Sequence, residues 1–290
     1  MERANSFSRI LLATDGSEQS QAAVDATIEL ARFSSAVVRV AHVWNLEVHH
    51  RHGVWDVEVR SEAERLVAET VDRLSAAGVT ADKEIYRADN SHVAAAIAEI
   101  ARQFQADLVV VGSRGLSDWE SMFRHSVSHQ VLASVDCPVL IIRGRSAGDM
   151  RSTRRILVAV AGGDDIGPAV RATAAVARAR SCSVLAVHVV QSIVSPPGIG
   201  YFESESESQN TIDRAVQELR DAGIAAEGML APAGPVPASL ARVAEDWNAD
   251  LIVMGSSRMG NAAGLLLGSV SHDLLHSTQL PILIAERVRR

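Results

Sequence analysis

The sequence holds only two cysteines, Cys137 and Cys182. They lie far apart, outside any C-x-x-C spacing, each beside an apolar run, so neither a metal cluster nor a disulfide framework is expected. No run of about eighteen apolar residues is present, and the N-terminus lacks the order of charged, apolar and cleavage-site regions that marks a signal peptide. The chain therefore reads as soluble and cytoplasmic. Basic residues are outnumbered, 28 against 35 acidic ones, for a net charge of 28 − 35 = −7. Such a chain repels a phosphate backbone on average, which argues against nucleic-acid binding. Also missing is G-x-x-x-x-G-K-[ST], and with it the lysine that engages a transferring phosphate. No aspartate pair is placed to hold magnesium, and no nucleophile and base pair by motif. A kinase or a robust hydrolase is therefore not expected.

What the sequence does have is enough apolar residues for a sizeable core, 47% of 290, and an internal repeat. Residues 107–142 align without a gap on residues 250–285, an offset of 250 − 107 = 143. The alignment keeps Asp107/Asp250, Gly112/Gly255, Ser126/Ser269, Ser128/Ser271, His129/His272 and Pro138/Pro281. One fold has been used twice. Domains are expected at 1–146 and 154–290, joined by a linker at 147–153 within the polar, glycine-containing stretch Gly144–Thr153.

Ile10–Thr14 is a continuous apolar strand that ends at Asp15-Gly16-Ser17, as doubly covered parallel strands do. Ser17 caps the next helix. Ala36–Val43 is a second strand, after which Trp44–Val57 breaks the rhythm with three histidines among fourteen residues. A helix from about Val59 to Ala77 stops at Gly78, and strand three is Val79–Tyr86. Ser91 is expected to cap the following helix. In the second copy the counterparts are strand Ile156–Val160, helix Ile166–Ala179, strand Val184–Val190, an excursion at Gln191–Ser206, helix Ser208–Ala222 ended by Gly223, and helix Pro237–Trp247. The fold class is therefore α/β: two tandem copies of an open, five-stranded, mainly parallel sheet with helices on both faces. Ligands of such sheets bind beyond the carboxyl ends of the strands.

One loop carries the chemistry. Gly112-Ser113-Arg114-Gly115 ends a strand, and ten positions after Gly115 the pair His125-Ser126 opens a helix; the second copy reads Gly255-Ser256-Ser257-Arg258 and Gly268-Ser269. Glycines let the backbone approach a ligand, and the free N–H groups and dipole of the Ser126 or Ser269 helix favour an anion such as phosphate. Hydroxyls of Ser126, Ser128, Ser269 and Ser271 add donors.

These features resemble the universal stress protein family, whose nucleotide-binding members carry G-x-x-G, nine residues, then G-[ST], with an Asp ending the first strand. The resemblance covers nearly all of both halves. It implies an α/β fold related to nucleotide-binding sheets, pairing through the last strand of each domain, and ATP held with its adenine near the first-strand Asp. The binding set implied is Ala13, Asp15, Val43, Gly112, Ser113, Arg114, Gly115, His125, Ser126, Val127 and Ser128 in the first copy. In the second it is Val189, Gly255, Ser256, Arg258, Gly268, Ser269, Val270 and Ser271.

Departures from the pattern matter as much. His125 stands where a glycine is expected, and either clashes with a phosphate or contacts it as a cation. Leu116–Arg124 is bulkier than its counterpart, with Trp119, Met122 and Phe123. In the second copy Arg258 replaces the second glycine and Ala161 stands at the position of Asp15, which removes a partner for adenine or ribose. Plainer readings compete. Asp15 tightens its turn, and the four serines cap helices. His129 and His272 share a structural role. His49-His50-Arg51-His52 has no metal-ligand spacing. Trp44, Trp55 and Trp119 either stack on a base or fill the pocket mouth. Glu203, Glu205 and Glu207 read as a solvated stretch.

Two functions follow. One is a stress or regulatory protein that binds an adenine nucleotide, ATP, without robust catalysis, although slow hydrolysis stays compatible with these residues. The other is a scaffold that binds no nucleotide and acts through its surface. The apolar edges Pro138–Ile142 and Pro281–Ile284 predict self-association through the last strands, as an intramolecular pseudo-dimer with or without pairing of whole chains.

Overall fold

Ile10, Leu11 and Leu12 are wholly buried in strand β1 (Arg9–Ala13), as a strand covered on both faces requires. The computed structural model describes residues 6–49, 53–56, 60–89, 92–113, 127–143, 153–162, 166–178, 182–190, 192–195, 198–201, 203–255 and 269–285. The chain divides into two units, Phe7–Met150 and Arg151–Arg290.

In Phe7–Met150 the elements after β1 are α1 (Glu18–Ser34), β2 (Val37–His49), β3 (Gly53–Asp56), α2 (Arg60–Ala76), β4 (Ala81–Asp89), α3 (Val93–Phe104), β5 (Leu108–Ser113), α4 (Val127–Ser134) and β6 (Val139–Arg143). The parallel strands lie in the order β4-β2-β1-β5-β6. Helices α1 and α2 pack together against the sheet, as do α3 and α4. Helix α1 starts at the Ser17 cap, whose hydroxyl accepts from the Ser20 N–H at 3.3 Å. Gly78 adopts φ +79° after α2, the left-handed position expected of it. Helix α3 has His92 at its N-cap position, with no side-chain capping bond; Ser91 lies outside the described residues.

Strand β2 does not stop at Val43. It runs on to His49 and turns back, β3 pairing antiparallel with it from Leu46↔Asp56 to His49↔Gly53. Trp44, Leu46 and Val48 alternate with polar residues, the period-two pattern of a hairpin rather than the continuous run of a covered parallel strand.

Arg151–Arg290 repeats the plan with β7 (Arg155–Ala159), α5 (Gly167–Ala177), β8 (Ser183–Val189), β9 (Ser192–Ser195), β10 (Gly198–Tyr201), α6 (Glu205–Asp221), β11 (Ala226–Ala231), α7 (Val236–Asp246), β12 (Leu251–Gly255), α8 (Ser269–Ser277) and β13 (Ile282–Ala285). Its parallel order is β11-β8-β7-β12-β13, while β9 and β10 form a separate antiparallel pair. Helices α5 and α6 pack together, as do α7 and α8. Helix α6 starts earlier than the expected Ser208. Ser204 caps it in a reciprocal box with Glu207, whose carboxylate accepts from the Ser204 N–H at 2.8 Å. Both bonds hold the Glu207 carboxyl below the usual carboxylate range, the backbone N–H first and the Ser204 hydroxyl second. Gly223 ends the helix side of this segment with φ +77°.

The repeated Asp107 and Asp250 sit at the amino ends of the sheets. Asp107 accepts from the N–H groups of Ser8 and Arg9 at 2.7 and 2.9 Å, and Asp250 from those of Arg154 and Arg155 at 2.7 and 2.9 Å. Each ties the first strand of its unit to the fourth parallel strand, so this pair explains fold rather than function.

Candidate functional site

In each unit the chain leaves the first strand toward one side and returns on the other, so a switch point lies between β1 and β5, and between β7 and β12. Crevices beyond the carboxyl ends at such points are where ligands of open α/β sheets bind. Register makes the neighbours explicit: Ala13 pairs with Val111 and with Ala41, which brings the turn after β1 beside Gly112 and Ser113 and close to His42.

The first turn is built from short bonds. Thr14 N–H donates to the Ala41 carbonyl at 3.0 Å, and the Thr14 carbonyl accepts from His42 Nδ1 at 2.8 Å. Asp15 is exposed, and its Oδ1 accepts from Ser17 N–H at 3.0 Å and from the Ser17 hydroxyl at 2.5 Å. Asp15 therefore tightens the turn and supports the Ser17 cap, and still presents its carboxylate at the surface of the crevice. Gly16 needs its φ of +77°, and a methyl there would touch Leu66 at 3.1 Å.

The aligned glycines differ. A Cβ on Gly112 would fall 2.6 Å from the Gln19 carbonyl oxygen and 2.8 Å from the Ser20 nitrogen, whereas a Cβ on Gly255 meets nothing within 4 Å among the described residues. Gly112 lets α1 close onto β5. Gly255 is exposed, at the open end of β12. The close approach expected between glycine and ligand is thus, at Gly112, an approach between two elements of the protein.

The remaining positions divide between placed and undescribed residues. Ala13 is half-buried, and Val43 and Val189 are buried at the ends of the described strand cores. Val127 opens α4 and is exposed, and Val270 is half-buried in α8. Ser128 and Ser271 are buried, which withdraws their hydroxyls from the solvent side of the crevice. Ser269 is the first residue of α8. Arg114, Gly115, His125, Ser126, Ser256, Arg258, Gly268 and Trp119 lie outside the described residues. Trp44 carries the Arg87 guanidinium over its ring at 5.1 Å. His272 faces Asp273 at 3.0 Å and packs edge-on to His276, with 4.8 Å between ring centroids.

Three groups escaped the sequence reading. His42 and His188 are buried at matching places, 188 − 42 = 146 apart, as Asp15 and Ala161 are, 161 − 15 = 146. His188 Nδ1 contacts the Val160 carbonyl at 2.8 Å, the same bond that His42 makes to Thr14. A carbonyl only accepts, so Nδ1 of each ring carries a proton. The signal was available: one imidazole recurs at one place, as Val40-Ala41-His42-Val43 in β2 and Ala186-Val187-His188-Val189 in β8. Glu203 is not part of a solvated stretch. Its side chain is 18% exposed, and its Oε1 lies 2.5 Å from His188 Nε2. With Nδ1 already donating, that contact requires a proton between ring and carboxyl, as imidazolium and carboxylate or as imidazole and carboxylic acid. The third group is Arg143, at the end of β6 in register with Ser113, where burial pushes its guanidinium down from the usual value.

Two cavities among the described residues lie elsewhere. One of about 220 Å³ separates α5 from α6, and one of about 410 Å³ lies at the C-terminal ends of α1 and α2. Neither touches the carboxyl ends of the strands, where turns, histidines and loops converge. Among the described residues there is no cluster of three or more potential metal ligands, and no helix long and apolar enough to cross a membrane.

Comparison with known proteins bears on the same architecture. The model of the Universal stress protein family matches residues 6–143 and 152–286. Universal stress protein YxiE of Bacillus subtilis is 32% identical over 150 residues, covering 47% of this chain and 99% of that protein. Universal stress protein Rv2005c of Mycobacterium tuberculosis is 25% identical over 295 residues, covering 96% of this chain and 97% of its own. Among solved structures, a universal stress protein from Archaeoglobus fulgidus superposes with a TM-score of 0.75 at 20% identity, covering 98% of this chain and 99% of that one. With the family model matched once in each unit, the chain belongs to the universal stress protein family, as a tandem of two of its domains.

Proposed function

We propose that this protein binds an adenine nucleotide, ATP, at the carboxyl ends of the strands in at least one unit, and that occupancy, rather than robust catalysis, is its output in a stress response. The observation that carries this reading is the switch point of the first unit. There the exposed Asp15 carboxylate stands beside the end of β5, from which the glycine- and serine-containing loop leaves before α4 begins at Val127. An acidic group for base or ribose and a loop leading to a helix N-terminus for phosphate are the two halves of a nucleotide site. Mass spectrometry of gently denatured protein and isothermal titration with ATP test it. Co-purified nucleotide or saturable heat, weakened by Asp15→Ala, is expected. Affinity unchanged by Asp15→Ala counts against the first unit as the site.

The scaffold reading is favoured by the departures in the sequence, His125 and Arg258 at glycine positions and Ala161 in place of an acidic residue in the second unit. It predicts no ATP binding at either site. Self-association through the last strands is likewise a proposal, and sedimentation of the whole chain tests it: a homodimer mass supports pairing of whole chains, and a monomer mass contradicts it.

A further inference from the structure

Glu203 and the buried His188 form a hydrogen-bonded pair that the nucleotide reading does not use, and they form it where the second unit has Ala161 in place of an acidic residue. His188 closes the end of β8 against the Val160 carbonyl at 2.8 Å and holds Glu203 Oε1 at 2.5 Å. The second oxygen, Oε2, lies 3.4 Å from where a Cβ on Gly162 would stand. Val160-Ala161-Gly162 is the counterpart of Thr14-Asp15-Gly16, since 160 − 14 = 146. The carboxylate missing from the strand end at Ala161 is thus returned from outside the sheet, from the residue just before the α6 cap. Among the described residues Oε2 accepts no hydrogen bond, and the side chain keeps 18% exposure, enough for a ligand to reach it. A polar pair drawn this far out of water gives little net stability over a well-packed apolar pair, so its position asks for another role.

We propose that Glu203, positioned by His188, is the specificity-determining carboxylate of the second unit, accepting a hydrogen bond from a donor on the ligand. Resting on the nucleotide reading, the donor is a ribose hydroxyl or the adenine amino group. His188 fixes one oxygen at 2.5 Å, and the other is presented beside Gly162.

The test titrates the full chain by calorimetry with ATP, 2′-deoxyATP and inosine triphosphate. The proteins are the wild type, Asp15→Ala, and Asp15→Ala combined with Glu203→Gln, which keeps the length and a hydrogen bond to His188 but removes the carboxylate. Asp15→Ala is expected to retain ATP binding, and adding Glu203→Gln is expected to weaken it at least about tenfold, the scale of a lost hydrogen bond to a charged group. Weaker binding of 2′-deoxyATP to the Asp15→Ala protein, lost as a distinction in the double variant, assigns the ribose; the same pattern with inosine triphosphate assigns the amino group. A lowered melting temperature with unchanged ATP affinity makes the pair structural and overturns the proposal. So does loss of all ATP binding in Asp15→Ala alone, which leaves the nucleotide reading of the first unit standing. A wild type that binds no ATP overturns both.

Discussion

Replacing Gly112 by alanine separates two reasons for having glycine at the head of the loop. The new methyl would sit 2.6 Å from the Gln19 oxygen, 2.7 Å from the Gln19 carbonyl carbon and 2.8 Å from the Ser20 nitrogen. All three are backbone atoms in the first turn of α1, so no side-chain rotation relieves the overlap and the helix must move. Overpacking of this kind costs about 1–3 kcal/mol, and at roughly 2–4 °C per kcal/mol for a chain of this size the first unfolding transition falls by several degrees. Gly255→Ala adds a methyl that meets none of the described residues within 4 Å and should stay within about 0.5 kcal/mol of the wild type. Thermal and urea unfolding of both full-length variants measure the difference. Because α1 follows directly on Asp15 and Ser17, Gly112→Ala should also weaken ATP binding in the first unit. Equal, small shifts in both variants would refute the close approach of α1 to β5 and, with it, the unequal roles given to the two glycines.

Other expectations follow from single contacts. Ser204→Ala removes the hydroxyl of the α6 capping box and should cost about 1 kcal/mol at neutral pH. The Glu207 carboxyl is held low in the folded state, so its stabilisation is present above the usual carboxylate range and is lost as pH falls through the lowered value. The gap between wild type and Ser204→Ala in melting temperature should therefore narrow on acidification, and a gap constant with pH would contradict the box. Asp107→Ala releases the N–H groups of Ser8 and Arg9 and should lower stability by about 1–3 kcal/mol. It leaves ATP affinity unchanged, because it acts at the amino end of the sheet; calorimetry and urea unfolding on one preparation check both halves. Gly228→Ala places a methyl 2.2 Å from Ile212 Cγ2 where α6 crosses β11, and a loss of about 1–3 kcal/mol is expected in urea.

Much of the fold was legible because its strands are covered on both faces and so read as unbroken apolar runs: Ile10–Leu12 and Leu108–Val111 are buried throughout. Punctuation was legible as well, since Ser17 and the left-handed Gly78 and Gly223 have local physical reasons to be where they are. The continuation of β2 was not, because its hairpin with β3 alternates apolar with polar residues and breaks the run that identified the strand. The Ser204 start of α6 was missed although S-x-x-E stood in the sequence. Glu203 could not be separated from Glu205 and Glu207 by composition. What distinguishes it is a contact with His188, fifteen residues away and on a different element. At the candidate site, Asp15 was named correctly as a turn former, and its ligand role remains a proposal. Gly112 was read for the ligand, yet its immediate neighbour is α1. The phosphate half was legible only as the spacing of glycine and serine within residues 114–126 and 256–268, which lie outside the described residues.

Titration of the full-length wild-type chain with ATP, paired with mass spectrometry of the same gently denatured preparation, is the most direct test of whether these strand ends form a nucleotide site. Saturable heat with at least one site per chain, or an adenine nucleotide carried through purification, is the predicted result. No heat at high ATP together with no co-purified nucleotide would contradict it and leave the tandem as a scaffold.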